Sequence, residues 1–433
     1  MEEKNSEKKE RKMRDSGIPW IGEVPEGWEF SKIKYHCTMK SGDNITALDI
    51  SDNGEYPVYG GNGLRGFYKI YNKNGNHILI GRQGALAGNV HLVNGKFWAT
   101  DHAVVVTLKN DVFINYFFRM LESMNLNQYA FDTAAQPGLS VSRIMNLNIV
   151  LPNLEEQHRI ADFLDSKCSE IDTLIENLRA RVESAKEYKK AVITEAVTKG
   201  LDKDAKMKDS GVEWIGEIPE GWSFPKITHI LDYTHPYPIG DGDHGSIKAT
   251  DYTEYGIPFV RVQNLGFATD LCLDNVVYIS EAQNRTIQNS TLKPNDILFA
   301  KTGATIGKVG IVPESIKKAN TTSHVGKITV SESIVPKYIF YVLSSNIGYR
   351  QFWDIAAQKS TRPELSIDEI KTIRVLLPKT KEEQQQIADY LDSKCFEIDA
   401  LLQNYEDQIA TLEEYKKSLI YEYVTGKKEV SAA

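Results

Sequence analysis

EEQHRIADFLDSKCSEIDTLIENL, which begins at Glu155, returns later in the chain as EEQQQIADYLDSKCFEIDALLQNY, which begins at Glu382. Residues 160–172 and residues 387–399 agree at 11 of 13 positions. So close a repeat within one chain indicates internal duplication rather than a shared helical composition. We therefore expect two equivalent halves, each organised around one copy of this stretch.

Both copies carry apolar residues at heptad spacing, which is the pattern of a long helix with a two-row seam. Neither contains Pro or Gly before Gly200 or Gly426, so each is expected to run for about 44 residues, or about 66 Å. The simplest way to bury both seams is an antiparallel pair, and two ordinary helices of a larger bundle are the alternative. The seam includes Leu164, Ile171, Leu178, Leu391, Ile398 and Tyr405.

Two lysines, Lys189 and Lys416, interrupt the seam at equivalent positions of the two copies. A polar residue in a helical seam either weakens the packing or sets the register of the pair. The sequence alone leaves both readings open.

Composition bounds the class of protein. The 433 residues are 41% hydrophobic and 25% charged, as in soluble globular proteins of two to four domains. No apolar run is long enough to span a membrane, and the charged residues 1–12 read as a disordered tail. Four scattered cysteines lack the spacing of a zinc site. A cytoplasmic protein without a metal site is therefore expected.

The formal net charge of −8 is unusual for a nucleic-acid binder. The expected helices at 153–199 (8 bases, 10 acids) and 380–428 (6 bases, 11 acids) carry −2 and −5 of it. Residues 13–152 hold 12 acids and 12 bases, and residues 200–379 hold 21 acids and 20 bases. Because these globular segments are near neutral, partner subunits would have to supply much of any affinity for DNA.

A second motif is duplicated ahead of each globular segment. SGIPWIGEVPEGW, residues 16–28, returns as SGVEWIGEIPEGW, residues 210–222, with 10 of 13 positions identical. Paired Trp residues and Pro-Glu-Gly turns favour a strap that holds each globular segment against the helices, and a ligand-binding aromatic box is the alternative.

The segments between strap and helix match weakly but in the same order. ILIGRQGALAGNV, residues 78–90, parallels ILFAKTGATIGKV, residues 297–309, and a histidine, His102 or His324, precedes a later strand in each. We predict an α+β protein in which two α/β domains, 13–152 and 200–379, are joined by two long antiparallel coiled-coil helices with an internal pseudo-two-fold repeat.

Catalytic signatures are missing from the sequence. It contains no amino-methyltransferase tetrapeptide, phosphate-binding loop, zinc-protease helix or serine-hydrolase elbow. His102 and His324 lack an obvious nucleophile beside them and are expected to be structural. The chain alone is therefore not expected to be an enzyme.

The loops instead carry side chains that suit base edges, because Arg and Lys donate to guanine while Asn and Gln pair with adenine. Glycines beside them would let the backbone approach DNA closely. The candidates in the first domain are Tyr59, Asn62, Arg65, Arg82, Gln83 and Gln136. Those in the second are Tyr237, Lys248, Arg261, Gln263, Asn264, Lys301, Thr302, Lys359 and Arg362.

This combination of straps, repeated helices and two dissimilar domains resembles the specificity subunits of type I restriction-modification systems. The resemblance implies that each domain is a target-recognition domain that reads one half of a split, non-palindromic site in double-stranded DNA. It implies that the helices set the spacer and dock two methyltransferase subunits. It places S-adenosylmethionine, ATP and Mg on partner subunits and none in this chain, and adding translocase-nuclease subunits would complete a restriction enzyme.

Two other classes of protein are compatible with the sequence. One is a coiled-coil scaffold whose globular domains bind proteins, which sequence-dependent retention on DNA would exclude. The other is a methyltransferase with an unusual motif, which failure to bind S-adenosylmethionine alone would exclude.

Overall fold

The computed structural model describes residues 11–84, 87–131, 138–242, 245–358 and 363–430, with the backbone alone at 130 and 131. Residues 1–10 of the predicted tail lie outside these ranges. Arg11 belongs to the fold rather than to a tail, because its guanidinium donates to Glu156 at 2.5 Å. The chain divides into unit 1, Met1–Arg179 with Asp407–Ala433, and unit 2, Ala180–Glu406.

Unit 1 contains short strands, two four-stranded sheets, the first part of one long helix and the last part of the other. Its elements are β1 Met13–Asp15, β2 Glu23–Pro25, β3 Glu29–Lys32, α1 Ile33–His36, β4 Cys37–Ser41, β5 Tyr56–Gly60, β6 Gly63–Tyr68, β7 Lys73–Asn74, β8 His77–Gly81, β9 Val90–Val93, β10 Lys96–Ala99, β11 Ala103–Leu108, α2 Ile114–Ser123, β12 Ala130–Phe131, β13 Gly138–Leu139, α3 Val141–Met145, β14 Asn148–Leu151 and α4 Leu154–Lys199.

Unit 2 follows the same plan, with the last part of α4 and the first part of the second long helix. Its elements are β15 Met207–Asp209, β16 Glu217–Pro219, β17 Ile239–Asp241, β18 Ile257–Val260, β19 Val277–Ile279, α5 Glu281–Thr286, β20 Ile297–Ala300, β21 Val309–Ile311, β22 Asn320–Thr321, β23 Val325–Ile328, α6 Pro336–Ser344, α7 Asn346–Ala356, α8 Ile367–Ile370 and α9 Lys381–Val424.

The main sheets of the two units have the same strand order. In unit 1 the order is β4-β11-β8-β9, and in unit 2 it is β17-β23-β20-β21, antiparallel throughout. Each unit adds a second sheet built around one parallel pair, β5 with β10 or β18 with β22. The duplicated sequence therefore folds into a duplicated topology.

Alternation along the central strands β8 and β20 divides the side chains of each strand between two cores. In β8, Ile78 and Ile80 join the large core that contains α2, whereas Leu79 faces a small core beside Phe97. Successive side chains of a strand point to opposite faces, so a run that is apolar at every position is buried on both sides. In β20, whose sequence is ILFA, Ile297 and Phe299 join the large core of unit 2, whereas Leu298 and Ala300 face a smaller one.

The long helices pair in antiparallel fashion inside each unit. In unit 1 the rings of Phe163 and Tyr423 lie 4.6 Å apart, and Arg179 further along α4 meets Glu413 earlier in α9. The predicted seam residues Leu164, Ile171, Leu178, Leu391 and Ile398 are buried, while Tyr405 is only half-buried. Within the described residues no helix is long and apolar enough to cross a membrane.

The two lysines that interrupt the seam form equivalent ion pairs across it. In unit 2 the ammonium of Lys189 lies 2.7 and 2.8 Å from the two carboxylate oxygens of Asp399. In unit 1 Lys416 makes the same contacts with Asp172, at the same two distances. The lysines therefore pair with a carboxylate of the opposite helix, which fixes the register of the pair.

Both straps hold the long helices of their own unit. In unit 1 Trp28 is buried, and the hydroxyl of Tyr421 in α9 donates to the carbonyl of Ile21 at 3.1 Å. In unit 2 the indole of Trp222 donates to Glu383, in the first turn of α9, at 2.8 Å. The predicted strap role is confirmed, because the tryptophans and their neighbours pack as core residues.

Candidate nucleic-acid interface

Three turns of unit 1 meet at one end of its sheets. They are residues 60–62 after β5, residues 82–84 after β8 and residues 100–102 before β11, and we call them edge 1. Backbone hydrogen bonds hold them together. The amide of Arg82 donates to the carbonyl of His102 at 2.9 Å, and the amide of Thr100 donates to Tyr59 at 2.9 Å. Leu139 closes the edge by donating to the carbonyl of Arg82 at 2.9 Å.

Unit 2 builds the same frame from residues 261–263, 301–303 and 322–324, which we call edge 2. The amide of Lys301 donates to the carbonyl of His324 at 3.0 Å, and Leu365 donates to the carbonyl of Lys301 at 2.8 Å. Thr322 donates to Val260 at 3.3 Å. The backbone carbonyl of each histidine thus accepts one hydrogen bond of the frame.

Four of the predicted residues of the first domain, Asn62, Arg65, Arg82 and Gln83, are brought together and exposed on edge 1. The guanidinium of Arg82 donates to the hydroxyl of Ser41 at 3.2 Å, and Asn62 accepts from the side chain of Asn89 at 3.0 Å. Arg65 lies across the turn, because a Cβ added at Gly60 would come within 2.5 Å of its Cδ. Edge 1, together with Arg65 of the adjacent β6, therefore presents two cations, Arg65 and Arg82, and two amides, Asn62 and Gln83.

The remaining two candidates of the first domain are Tyr59 and Gln136. Tyr59 is half-buried, with its ring edge-on to Phe97 at 5.7 Å between centroids, so its ring supports the small core. Gln136 lies outside the described residues.

On edge 2 the predicted residues divide between surface and interior. Arg261 donates to the carbonyl of Asn275 at 3.0 Å and lies 5.7 Å above the ring of Tyr252, while Gln263 is exposed. Asn264 is buried: it accepts from the amide of Arg261 at 2.9 Å and donates to the carbonyl of Cys272 at 2.8 Å. The base-reading role expected for Asn264 is therefore wrong, because its amide is already satisfied inside the fold.

Lys301 and Thr302 are also interior residues rather than exposed readers, which corrects the expectation drawn from their loop. The Lys301 side chain is 6% exposed, and its ammonium lies 2.9 Å from Asp241 and 3.4 Å from Glu364. Thr302 is 7% exposed, and its hydroxyl lies 3.2 Å from the ring of His324. A buried lysine is held by its counter-ions and does not present its charge to a ligand.

Two further candidates lie outside the ranges that form edge 2. Tyr237 and Lys248 are exposed on the loops that flank β17, where the Lys248 amide donates to Asp251 at 2.8 Å. Lys359 and Arg362 lie outside the described residues.

Several residues near edge 2 escaped the sequence reasoning. A shallow cleft of about 590 Å³ beside the predicted Arg261 and Gln263 is also lined by Cys272 and Asn275, which were missed. Tyr252, beneath the guanidinium of Arg261, was missed as well. Asp241 and Glu364 were missed because each is 60 or more residues from Lys301 in sequence. Only the long-range pairing of strands brings them together.

The electrostatics of unit 1 include one perturbed histidine. Burial lowers the pKa of His91 below its ordinary value of 6.5, and the nearby Glu122 opposes this shift. His91 packs beside edge 1, because a Cβ added at Gly63 would lie 3.5 Å from its ring. Among the described residues there is no cluster of His, Cys, Asp or Glu that could hold a metal ion.

Comparisons with known proteins agree with this picture. The family model for the type I restriction modification DNA specificity domain matches residues 25–184 and 238–410. The MjaVIII specificity subunit of Methanocaldococcus jannaschii is 28% identical over 425 residues, which is 93% of each chain. The EcoprrI specificity subunit of Escherichia coli is 44% identical over 153 residues, and this match spans only 37% of that relative.

A solved structure shares the fold over almost the whole chain. It comes from work on complex assembly and conformational transition of the type I R-M system, has a TM-score of 0.64 and covers 94% of this chain and 99% of its own. Its sequence identity of 15% restricts this likeness to the fold.

Proposed function

The chain belongs to the family of type I restriction modification DNA specificity proteins, and from this premise we propose that its two units read the two halves of one split DNA site. Unit 1 reads one half with edge 1, and unit 2 reads the other with edge 2. The chain itself performs no chemistry and gives the complex its sequence specificity.

The single observation that carries this proposal is the frame that both edges share. The same backbone hydrogen bonds position Arg82 in unit 1 and Lys301 in unit 2. The side chains on the two frames nevertheless differ, since edge 1 exposes Arg65 and Arg82 whereas Lys301 is buried. One frame with two sets of side chains suits two different half-sites, and hence a non-palindromic sequence.

The long helices support the second part of the proposal, that they set the spacer and dock two methyltransferase subunits. α4 and α9 each contribute to both units without a break. The equivalent pairs Lys189–Asp399 and Lys416–Asp172 support this part, because the duplicated sequence makes the same contact between the helices in both units. Two copies of one partner need two equivalent surfaces. S-adenosylmethionine, ATP and Mg would be held by these partners and by translocase-nuclease subunits.

The test is to co-express the chain with the methyltransferase gene of its own operon and to map N6-methyladenine across the genome by single-molecule sequencing. We expect a split motif of two short half-sites around a fixed gap. A stable complex that methylates no such motif would contradict DNA reading and favour the scaffold function.

A further inference from the structure

Edge 2 differs from edge 1 at three equivalent positions that meet around one cation. Strand register places Ser41 opposite Val104 and Asp241 opposite Gly326, in corresponding strands of the two main sheets. Isolated bridges pair Gln83 with Gly138 and Thr302 with Glu364. Lys301 of unit 2 therefore corresponds to Arg82 of unit 1. The carboxylates of Asp241 and Glu364 stand where unit 1 has the hydroxyl of Ser41 and Gly138.

These exchanges change the group that each edge exposes at this position. Arg82 is exposed, and among the described residues a Cβ added at Gly138 would have only the carbonyl oxygen of Arg82 within 4 Å, at 3.9 Å. In unit 2 the Lys301 side chain is 6% exposed and that of Asp241 is 12% exposed, while 50% of the Glu364 side chain faces solvent. Edge 1 thus offers a cation where edge 2 offers a carboxylate.

The position of Glu364 is fixed by its neighbours. The amide of Gly303 donates to the carbonyl of Pro363 at 2.8 Å, and the amide of Leu365 donates to Lys301 at 2.8 Å. These bonds flank Glu364 on both sides, and the ammonium of Lys301 lies 3.4 Å from its Oε1. A carboxylate held in this way loses little conformational entropy when it accepts a further hydrogen bond.

We propose that Glu364 is a specificity-determining residue of unit 2, which accepts a hydrogen bond from the exocyclic amino group of a base. Lys301 is the positioning residue that holds it, and this inference rests on the proposed function. A carboxylate is repelled by phosphates, so its favourable contact with DNA is a base amino group. Cytosine N4 is the usual partner, and adenine N6 shares its chemistry.

The experiment uses the full chain in complex with its methyltransferase and compares wild type with Glu364→Gln, Lys301→Met and the control Glu314→Gln. Glu314 is an exposed carboxylate of the same unit, away from edge 2. Methylation is measured for all four bases at each position of the motif. We expect Glu364→Gln to lower the preference at one base pair of one half-site by about tenfold and to leave the other half unchanged.

Lys301→Met is expected to relax the same base pair, which a purely structural lysine would not do selectively. Because that variant leaves Asp241 without its cation and can fail to fold, Glu364→Gln decides the question, since it is isosteric and keeps the Lys301–Asp241 pair. Cytosine or adenine is identified by the base whose preference is lost. Unchanged preferences in Glu364→Gln, or an equal loss over all sequences, would overturn the inference. A wild-type complex without any motif would instead refute the proposed function.

Discussion

The ion pairs of the two seam lysines, Lys189–Asp399 and Lys416–Asp172, have the same geometry in different surroundings, which allows a matched test of what burial does to their strength. The Lys189 side chain is 6% exposed and its partner Asp399 is 44% exposed, whereas Lys416 and Asp172 are 22% and 52% exposed. Replacing Asp399 by Ala leaves a buried ammonium without a partner. Replacing Asp172 by Ala leaves an ammonium that reaches water more easily.

The magnitudes follow from these exposures. Breaking a fully buried pair costs about 3–5 kcal/mol, and an exposed pair contributes about 0–1 kcal/mol. Because Asp399 is half-exposed, solvent screening reduces the cost, and we expect Asp399→Ala to lower the free energy of unfolding by about 2 kcal/mol. For Asp172→Ala we expect about 0.5 kcal/mol. Both variants gain the same helix propensity from Ala, so the difference reports the surroundings.

The assay is urea unfolding followed by circular dichroism and tryptophan fluorescence, with the double variant Lys189→Met/Asp399→Ala as a control. Removing both charges should restore most of the lost stability, since an apolar replacement of a buried pair is often neutral. Equal losses for Asp399→Ala and Asp172→Ala would refute the reasoning. So would a double variant as unstable as Asp399→Ala alone.

Three further predictions concern recognition, pH and the helices. Arg82→Ala should relax the base preference only in the half-site that unit 1 reads. An equal loss of methylation over all sequences, measured by the same genome mapping, would indicate a phosphate contact instead. Burial depresses the pKa of His91, so the unfolded chain binds its proton more readily. The free energy of unfolding should therefore fall as pH drops below about 6.5 and through the folded pKa. In urea unfolding at several pH values, the free energy of unfolding of His91→Gln should depend less steeply on pH in this range than that of wild type. An unchanged pH dependence would rule out His91 as its source. Deleting one heptad from both α4 and α9 should shorten the gap in the methylated motif, whereas an unchanged gap would contradict the spacer role.

Sequence reasoning worked where local pattern decides structure. The duplicated stretches predict α4 and α9, and the buried Leu164 and Leu391 follow directly from heptad spacing. The packing of the straps could also be predicted from the sequence, because paired aromatic residues usually pack in a core, as the buried Trp28 and Trp222 do.

The side-chain chemistry of edge 1 and edge 2 was harder to predict, because it depends on residues that are distant in sequence. GRQG and AKTG look alike, yet Arg82 is exposed and Lys301 is buried. The difference comes from Asp241 and Glu364, which only the sheet register brings to Lys301. Similarly, the sequence placed Lys189 and Lys416 in the seam. Their partners, Asp399 and Asp172, could be identified only once the register of the antiparallel helices was known.

The central claim is that each unit reads its own half-site, and domain exchange tests it most directly. The variable segment 29–152 would be replaced by the corresponding segment of a specificity subunit with a known motif, and N6-methyladenine would be mapped for the hybrid complex. The account predicts that one half of the motif changes to that of the donor, while the other half and the gap stay the same. A motif in which both halves change, or neither does, would contradict it.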